Sequence, residues 1–248
     1  MVLADRVPGR RAWRWVVGLL AVWVLAHWPV TTKQGVNFEV STHRLPLYVK
    51  AFEFLDRDAQ FAALSAEVLR GATDDEQRVS AAFAYVRRRV QPTPDGWPIV
   101  DDHVLNIAIR GYGQPDQQAD VYTLLLSYGG VRAFWAKARM PGDGVGVVLS
   151  YALVGGRWTV ADVANGFLFR NRAGQLATAA DVAADRLARP DGVATLMIRD
   201  TPYADLLDQV RQPPVPTPLR TDLQKPWPRL WHEFQRAVRL EHEDGSER

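Results

Sequence analysis

His103, Asp116, Asp120 and Asp162 are the residues whose types could support chemistry in this chain. Carboxylates with an imidazole can hold a metal ion, or take and return a proton as acid and base. At each position an ordinary structural role competes. Asp116 and Asp120 fall in the opening turns of an expected helix, where acidic side chains complement the dipole. Asp162 ends an expected strand and could simply cap it. The other histidines (His27, His43, His232, His242) are scattered and mark no site. The chain has no cysteine, which excludes disulfides, thiolate metal sites and thiol nucleophiles together. No cofactor and no resident metal are expected.

Patterning supplies the elements that must position these side chains. The 248 residues, 47% hydrophobic and 23% charged, suit one sizeable domain with appendages. Leu47 to Phe54 and Phe61 to Leu69 have helical apolar spacing. Thr73-Asp74-Asp75-Glu76 reads as a capping box, with Thr73 as the cap and Glu76 reaching back. It opens a helix through Val79, Ala82, Phe83, Val86 and Val90, and Arg87, Arg88 and Arg89 are its solvated end. Val104 to Ile109 is a short apolar stretch. Pro115 suits the first turn of a helix running to about Tyr128, which Gly129-Gly130 stops. Strands are expected at Val131 to Ala138, Val145 to Val154 and Trp158 to Val163, with a tight turn at Gly155-Gly156. Phe167 to Phe169 adds a short one, and Ala179 to Ala188 and Tyr203 to Val210 read as helices. Helices, one central helix and then an antiparallel meander indicate the α+β class.

The run Gly111-Tyr112-Gly113-Gln114-Pro115, followed by Ala119 and then Leu124-Leu125-Leu126-Ser127-Tyr128-Gly129-Gly130-Val131-Arg132-Ala133, resembles the bacterial transglutaminase-like family. Gly156-Arg157-Trp158-Thr159-Val160-Ala161-Asp162 resembles that family's later Gly-x-Trp-x-x-x-Asp element. The likeness spans residues 73–169. It implies a papain-like core in which a thiolate at a helix amino terminus, a facing His and an orienting Asp do the chemistry. By that likeness the cysteine position falls on Pro115 and the His position on about Val147, beside Val148 and Leu149. Asp162 alone remains. Neither serine nor threonine replaces the thiol, so the implied triad is dead.

Trp13 to Val30 reads as a membrane-spanning helix, with Trp13, Trp15 and Trp28 at its interfaces and Pro29 ending it. Residues 1–30 hold four arginines against one aspartate, while only Lys33 follows closely. The positive-inside rule puts the amino terminus in the cytoplasm and the body outside, in the periplasm of a bacterium. A cleaved signal peptide has a similar layout, but Val24 to Pro29 offers no small-x-small site. The rest of the chain is nearly neutral, so nucleic acid is not an expected partner.

The expected organisation is a cytoplasmic stub and anchor (1–30), an irregular stalk (31–45), the folded domain (46–210), and a proline arm with an amphipathic helix (211–248). Pro213, Pro214, Pro216 and Pro218 read as an extended arm outside the core, carrying Trp227, Trp231 and Phe234 toward a partner. A helix packing back on its own domain is the alternative. The functional expectation is a non-catalytic, membrane-anchored scaffold among other membrane-complex subunits. One rival is a glycan- or peptide-binding accessory of envelope or exopolysaccharide assembly, and the other a hydrolase with rebuilt carboxylate chemistry around His103, Asp116, Asp120 and Asp162.

Overall fold

The computed structural model describes residues 10–101, 103–139 and 146–246. The first element is helix α1 (Arg10–Ala26), whose side chains from Trp13 to Leu25 are exposed. Among the described residues no helix is long and apolar enough to cross a membrane. The expected single helix to Val30 is therefore shorter, and the reason is local. The chain turns at His27 and enters strand β1 (Pro29–Val36), which pairs with β2 (Glu39–Pro46) along its whole length. The segment expected as an irregular stalk is thus a β-hairpin. Its Val and Thr residues favour strand, and its turn residues Asn37 and Phe38 take φ of 49° and 69°, the left-handed pair of a tight hairpin turn.

Helix α2 (Leu47–Val68) fuses the two expected apolar segments into one rod. Helix α3 (Asp75–Arg89) starts one residue later than the capping reading implies. Asp74, not Thr73, is the cap: its Oδ1 accepts from Gln77 N at 2.8 Å, and Gln77 Oε1 accepts from Thr73 N at 2.9 Å. Glu76 is left free to pair with Arg170 at 2.6 Å. Strand β3 (Gln91–Pro92) follows, then β4 (Val100–Asp101), which pairs antiparallel with β1. Helix α4 (Val104–Arg110) stops at left-handed Gly111, and β5 (Tyr112–Gly113) pairs parallel with β3.

Helix α5 (Pro115–Tyr128) has the expected ends, and Gln117 to Ser127 are buried without a break. Strands β6 (Ala133–Arg139), β7 (Gly146–Val154), β8 (Arg157–Asp162) and β9 (Phe167–Leu168) form one antiparallel meander in that order. The expected start of β7 at Val145 lies outside the described residues. The chain then runs through α6 (Ala179–Ala184), α7 (Gly192–Thr195), the hairpin of β10 (Met197–Ile198) and β11 (Thr201–Pro202), α8 (Tyr203–Asp208) and α9 (Pro226–Ser246).

The four-stranded sheet has a core on each face. Ala133, Ala152 and Ala161 meet Val121, Leu124 and Leu125 of α5, the alanines letting helix and sheet approach closely. On the opposite face Phe134, Leu149, Tyr151 and Val160 pack under Tyr203, Leu206, Leu207, Val210 and Leu219. Helices cover both faces of an antiparallel meander whose strands follow one another without helical crossovers, so the class is α+β.

Leu219 corrects the reading of the proline segment as a free arm. It is 3% exposed, and Thr221 Oγ1 beside it donates to Ala133 O at 3.2 Å. Residues 213–221 therefore form a strap over the sheet: with four prolines the strap has little conformational freedom to lose, and one leucine fixes it. Beyond it, α9 touches α2 where the Arg229 guanidinium lies 5.7 Å from the Phe54 ring centroid, and Trp227, Trp231 and Phe234 are all exposed.

Candidate functional site

A cleft of about 880 Å³ opens at the amino terminus of α5. Its floor is Gln114 to Gln117 and Asp120, one wall is Lys137, Arg139 and Val147–Val148, and its roof includes Phe38 and Val40 of the β1–β2 hairpin. The roof is fixed by Asn37, whose N–H donates to Ile99 O and whose Oδ1 accepts from Ile99 N, both at 2.8 Å. Phe38 is held over the opening with 87% of its surface exposed. A bulky residue at φ 69° is strained, and such strain collects where function requires a side chain in a fixed place. The far rim carries Arg199 of the β10–β11 turn, also left-handed at φ 53°. Among the described residues, Asn37, Phe38 and Arg199 are the non-glycine positions with positive φ, and all three serve this cleft.

Pro115 occupies the first position of α5 and lines the cleft. It brings neither a nucleophilic atom nor a backbone N–H to the helix terminus. Val147 needs a correction of one residue. Its side chain, 6% exposed, belongs to the second core with Leu149 and Tyr151. Strand alternation puts Val148, opposite Lys137, on the α5 face instead. Either way the position facing the helix terminus is a valine, which cannot carry a proton.

Asp162 is 1% exposed and turned into the body. Its Oδ2 accepts from Tyr203 Oη at 2.6 Å and Asn165 Nδ2 at 2.8 Å, and its Oδ1 accepts from Asn165 N at 2.9 Å. Burial raises its carboxyl above the usual range against these bonds. It closes the turn after β8 and ties α8 to the sheet.

Asp116 and Asp120 do stand in the cleft, one turn apart. Asp116 lies 3.9 Å from Lys137. Asp120 is 8% exposed; its Oδ1 accepts from Trp135 Nε1 at 2.6 Å and its Oδ2 pairs with Arg220 at 3.0 Å. Burial pushes its carboxyl up to about 6, although Arg220 and the Trp135 bond pull the other way. Arg220 also lies 5.5 Å over the Trp135 ring, so the strap is pinned to the floor of the cleft. Sequence reasoning missed Arg220 because it sits in the segment read as a free arm.

His103 is not with them. It stands just before α4 near Arg57 and Arg229, on the α2–α9 side, where burial and the two guanidiniums push its imidazole down to about 4. The carboxylates and the histidine expected to work together are therefore apart. Among the described residues no group of three or more His, Asp or Glu is placed to hold a metal ion. Trp227, Trp231 and Phe234 lie on α9, a separate surface, with Trp231 and Phe234 stacked 5.7 Å apart.

No family model matches the chain, and no curated protein matches it. Two solved structures align with part of it. One, a candidate protease from Parabacteroides distasonis ATCC 8503, has a TM-score of 0.36 and 12% identity over 44% of this chain and 25% of its own. The other, a TGase, has a TM-score of 0.33 and 12% identity over 57% of this chain and 46% of its own. This chain thus spans less than half of either protein, and at these scores the alignments carry no argument about activity.

Proposed function

We propose that this chain is a non-catalytic protein of transglutaminase-like fold that works by contact, as an interaction subunit of a membrane assembly. One observation carries the reading: the cleft at the α5 amino terminus is open and its rim is held under strain, yet Pro115 and Val148 stand where a nucleophile and a proton carrier would be needed. A cleft without a nucleophile can bind, and strained rim residues cost stability that binding would justify.

Anchoring rests on α1. Its 17 residues are about 26 Å long, and the uncharged stretch from Trp15 to Ala26 covers about 18 Å of a bilayer core of about 30 Å. Spanning would require Arg10, Arg11 and Arg14 to reach the headgroups and the bilayer to thin, at a fraction of a kcal/mol per Å. Arg6 ahead of the helix, with Arg10, Arg11 and Arg14 in its first turns, favours a cytoplasmic amino terminus and an outward body. Protease added to intact spheroplasts should digest the body; a protected body would reject this orientation.

A second reading is favoured by Phe38 together with Lys137, Arg139 and Arg199, which suit an acidic glycan or peptide ligand in the same cleft. The rebuilt-hydrolase reading has less support, since both oxygens of Asp162 are occupied and His103 is elsewhere. The test is a pull-down in mild detergent of the wild type and of Phe38→Asp. Partners that accompany the wild type and are lost with Phe38→Asp are expected. Partners unaffected by the change, or amide hydrolysis by the purified protein, would overturn the proposal.

A further inference from the structure

Among the described residues, the outer edge of β6 is open where the cleft begins. Leu153 N donates to Arg132 O at 2.9 Å on the β7 side, whereas Ala133 O points away and accepts from Thr221 Oγ1. The alternation of an antiparallel ladder then turns the N–H and C=O groups of Trp135, Lys137 and Arg139 outward. β6 is the terminal strand of its sheet, and beyond Ala133 no described backbone group pairs with this edge. Among the described residues the strap bonds to this edge at Ala133 O. An unpaired edge is a template for another strand.

The side chains along this edge state what kind of strand. Lys137 and Arg139 stand two residues apart on one face, about 6.7 Å along the strand, which is the pitch of alternate side chains in any extended peptide. Lys137 makes one long, exposed ion pair, to Asp116 at 3.9 Å, and Arg139 has no hydrogen bond or ion pair among the described residues. Arg199 adds a third cation across the cleft, likewise without such a partner. A second copy of this chain pairing through the same edge would set like charges opposite one another, which is unfavourable.

We infer that the β6 edge takes an extended acidic segment of a partner protein by strand addition, with acidic residues at alternate positions opposite Lys137 and Arg139. This rests on the contact reading above and names the partner's chemistry. Main-chain hydrogen bonds to the edge give the affinity, and the two cations give the register.

The test uses the full chain in mild detergent and a fluorescein-labelled eight-residue peptide alternating valine and glutamate, read by anisotropy. Saturable binding is expected, weakened about tenfold or more by Lys137→Glu with Arg139→Glu, both at exposed positions. N-methylation of alternate peptide nitrogens leaves the charges but blocks the ladder, and should abolish binding without altering the protein. Equal binding of the methylated peptide, equal competition by polygalacturonate, or no binding at all would overturn the inference. If the double variant still loses its membrane partners while the peptide fails to bind, strand addition fails and the contact reading stands. If the wild type brings down no partner, it is the contact reading that fails.

Discussion

Removing the chain after Arg211 should unfold or severely weaken the body. The strap contributes Leu219, 3% exposed in the second core, and losing such a side chain costs about 2–5 kcal/mol. The Thr221 hydrogen bond to Ala133 O adds about 1 kcal/mol. The Arg220–Asp120 pair adds about 1 kcal/mol more, discounted because Arg220 is 58% exposed at its side chain. The total, about 4–7 kcal/mol, is comparable with the whole stability of an ordinary domain, about 5–15 kcal/mol. Leu219→Ala isolates the largest part: about 3 kcal/mol, lowering Tm by about 6–12 °C in a domain of this size. Circular dichroism melts of the full chain, the truncation and Leu219→Ala in one detergent would measure this. A truncated body melting within about 1 °C of the full chain would refute the reasoning and return residues 213–221 to the status of a free arm.

Tyr203→Phe should cost about 1.5–3 kcal/mol, seen by urea titration, because it removes a 2.6 Å bond to the buried Asp162 carboxyl. Asp120 has a carboxyl raised by burial to about 6 from 3.8, so it detracts from stability as pH rises from about 4 to about 6. Below that window the group is protonated in both states and no penalty applies. Arg220→Ala removes a charge that favours the ionised form, so melts across pH should show the window extending above about 6. Pro115→Cys should leave Tm nearly unchanged, since a first-turn position tolerates most residues. Val147→His should cost more than Val148→His, because only Val147 is packed in the second core; equal melts of the two would reject the face assignment.

The central helix and the meander were legible because their signals are local. Pro115 and Gly129 bracket α5, and Gly155-Gly156 marks the turn between β7 and β8. The amino-terminal hairpin was not, since its polar strands have no apolar alternation and its turn uses Asn37-Phe38 rather than a glycine pair. In the site, the opening turns of α5 place Asp116 and Asp120 at the cleft. Asp162 was placed correctly on its strand, but nothing in the sequence announced Tyr203 as its partner 41 residues later. Residue type alone groups His103 with the aspartates, whereas its place before α4 puts it beside Arg57 and Arg229. Arg220 was hidden because a proline-rich stretch resembles a linker until one buried leucine shows otherwise.

The hairpin of residues 29–46 has a practical bearing on how this protein can be handled. It leaves α1 with two intervening residues, turns at the lip of the cleft, and returns to start α2. The same ribbon therefore joins α1 to the lip, and Leu47 N is bonded back to Trp28 O at 2.9 Å. A shortened version begun at residue 46, the boundary that sequence suggests, would discard Phe38, Val40 and Asn37 and present an unroofed cleft to any screen. Begun at about Trp28, it would keep the lip and lose only the apolar helix.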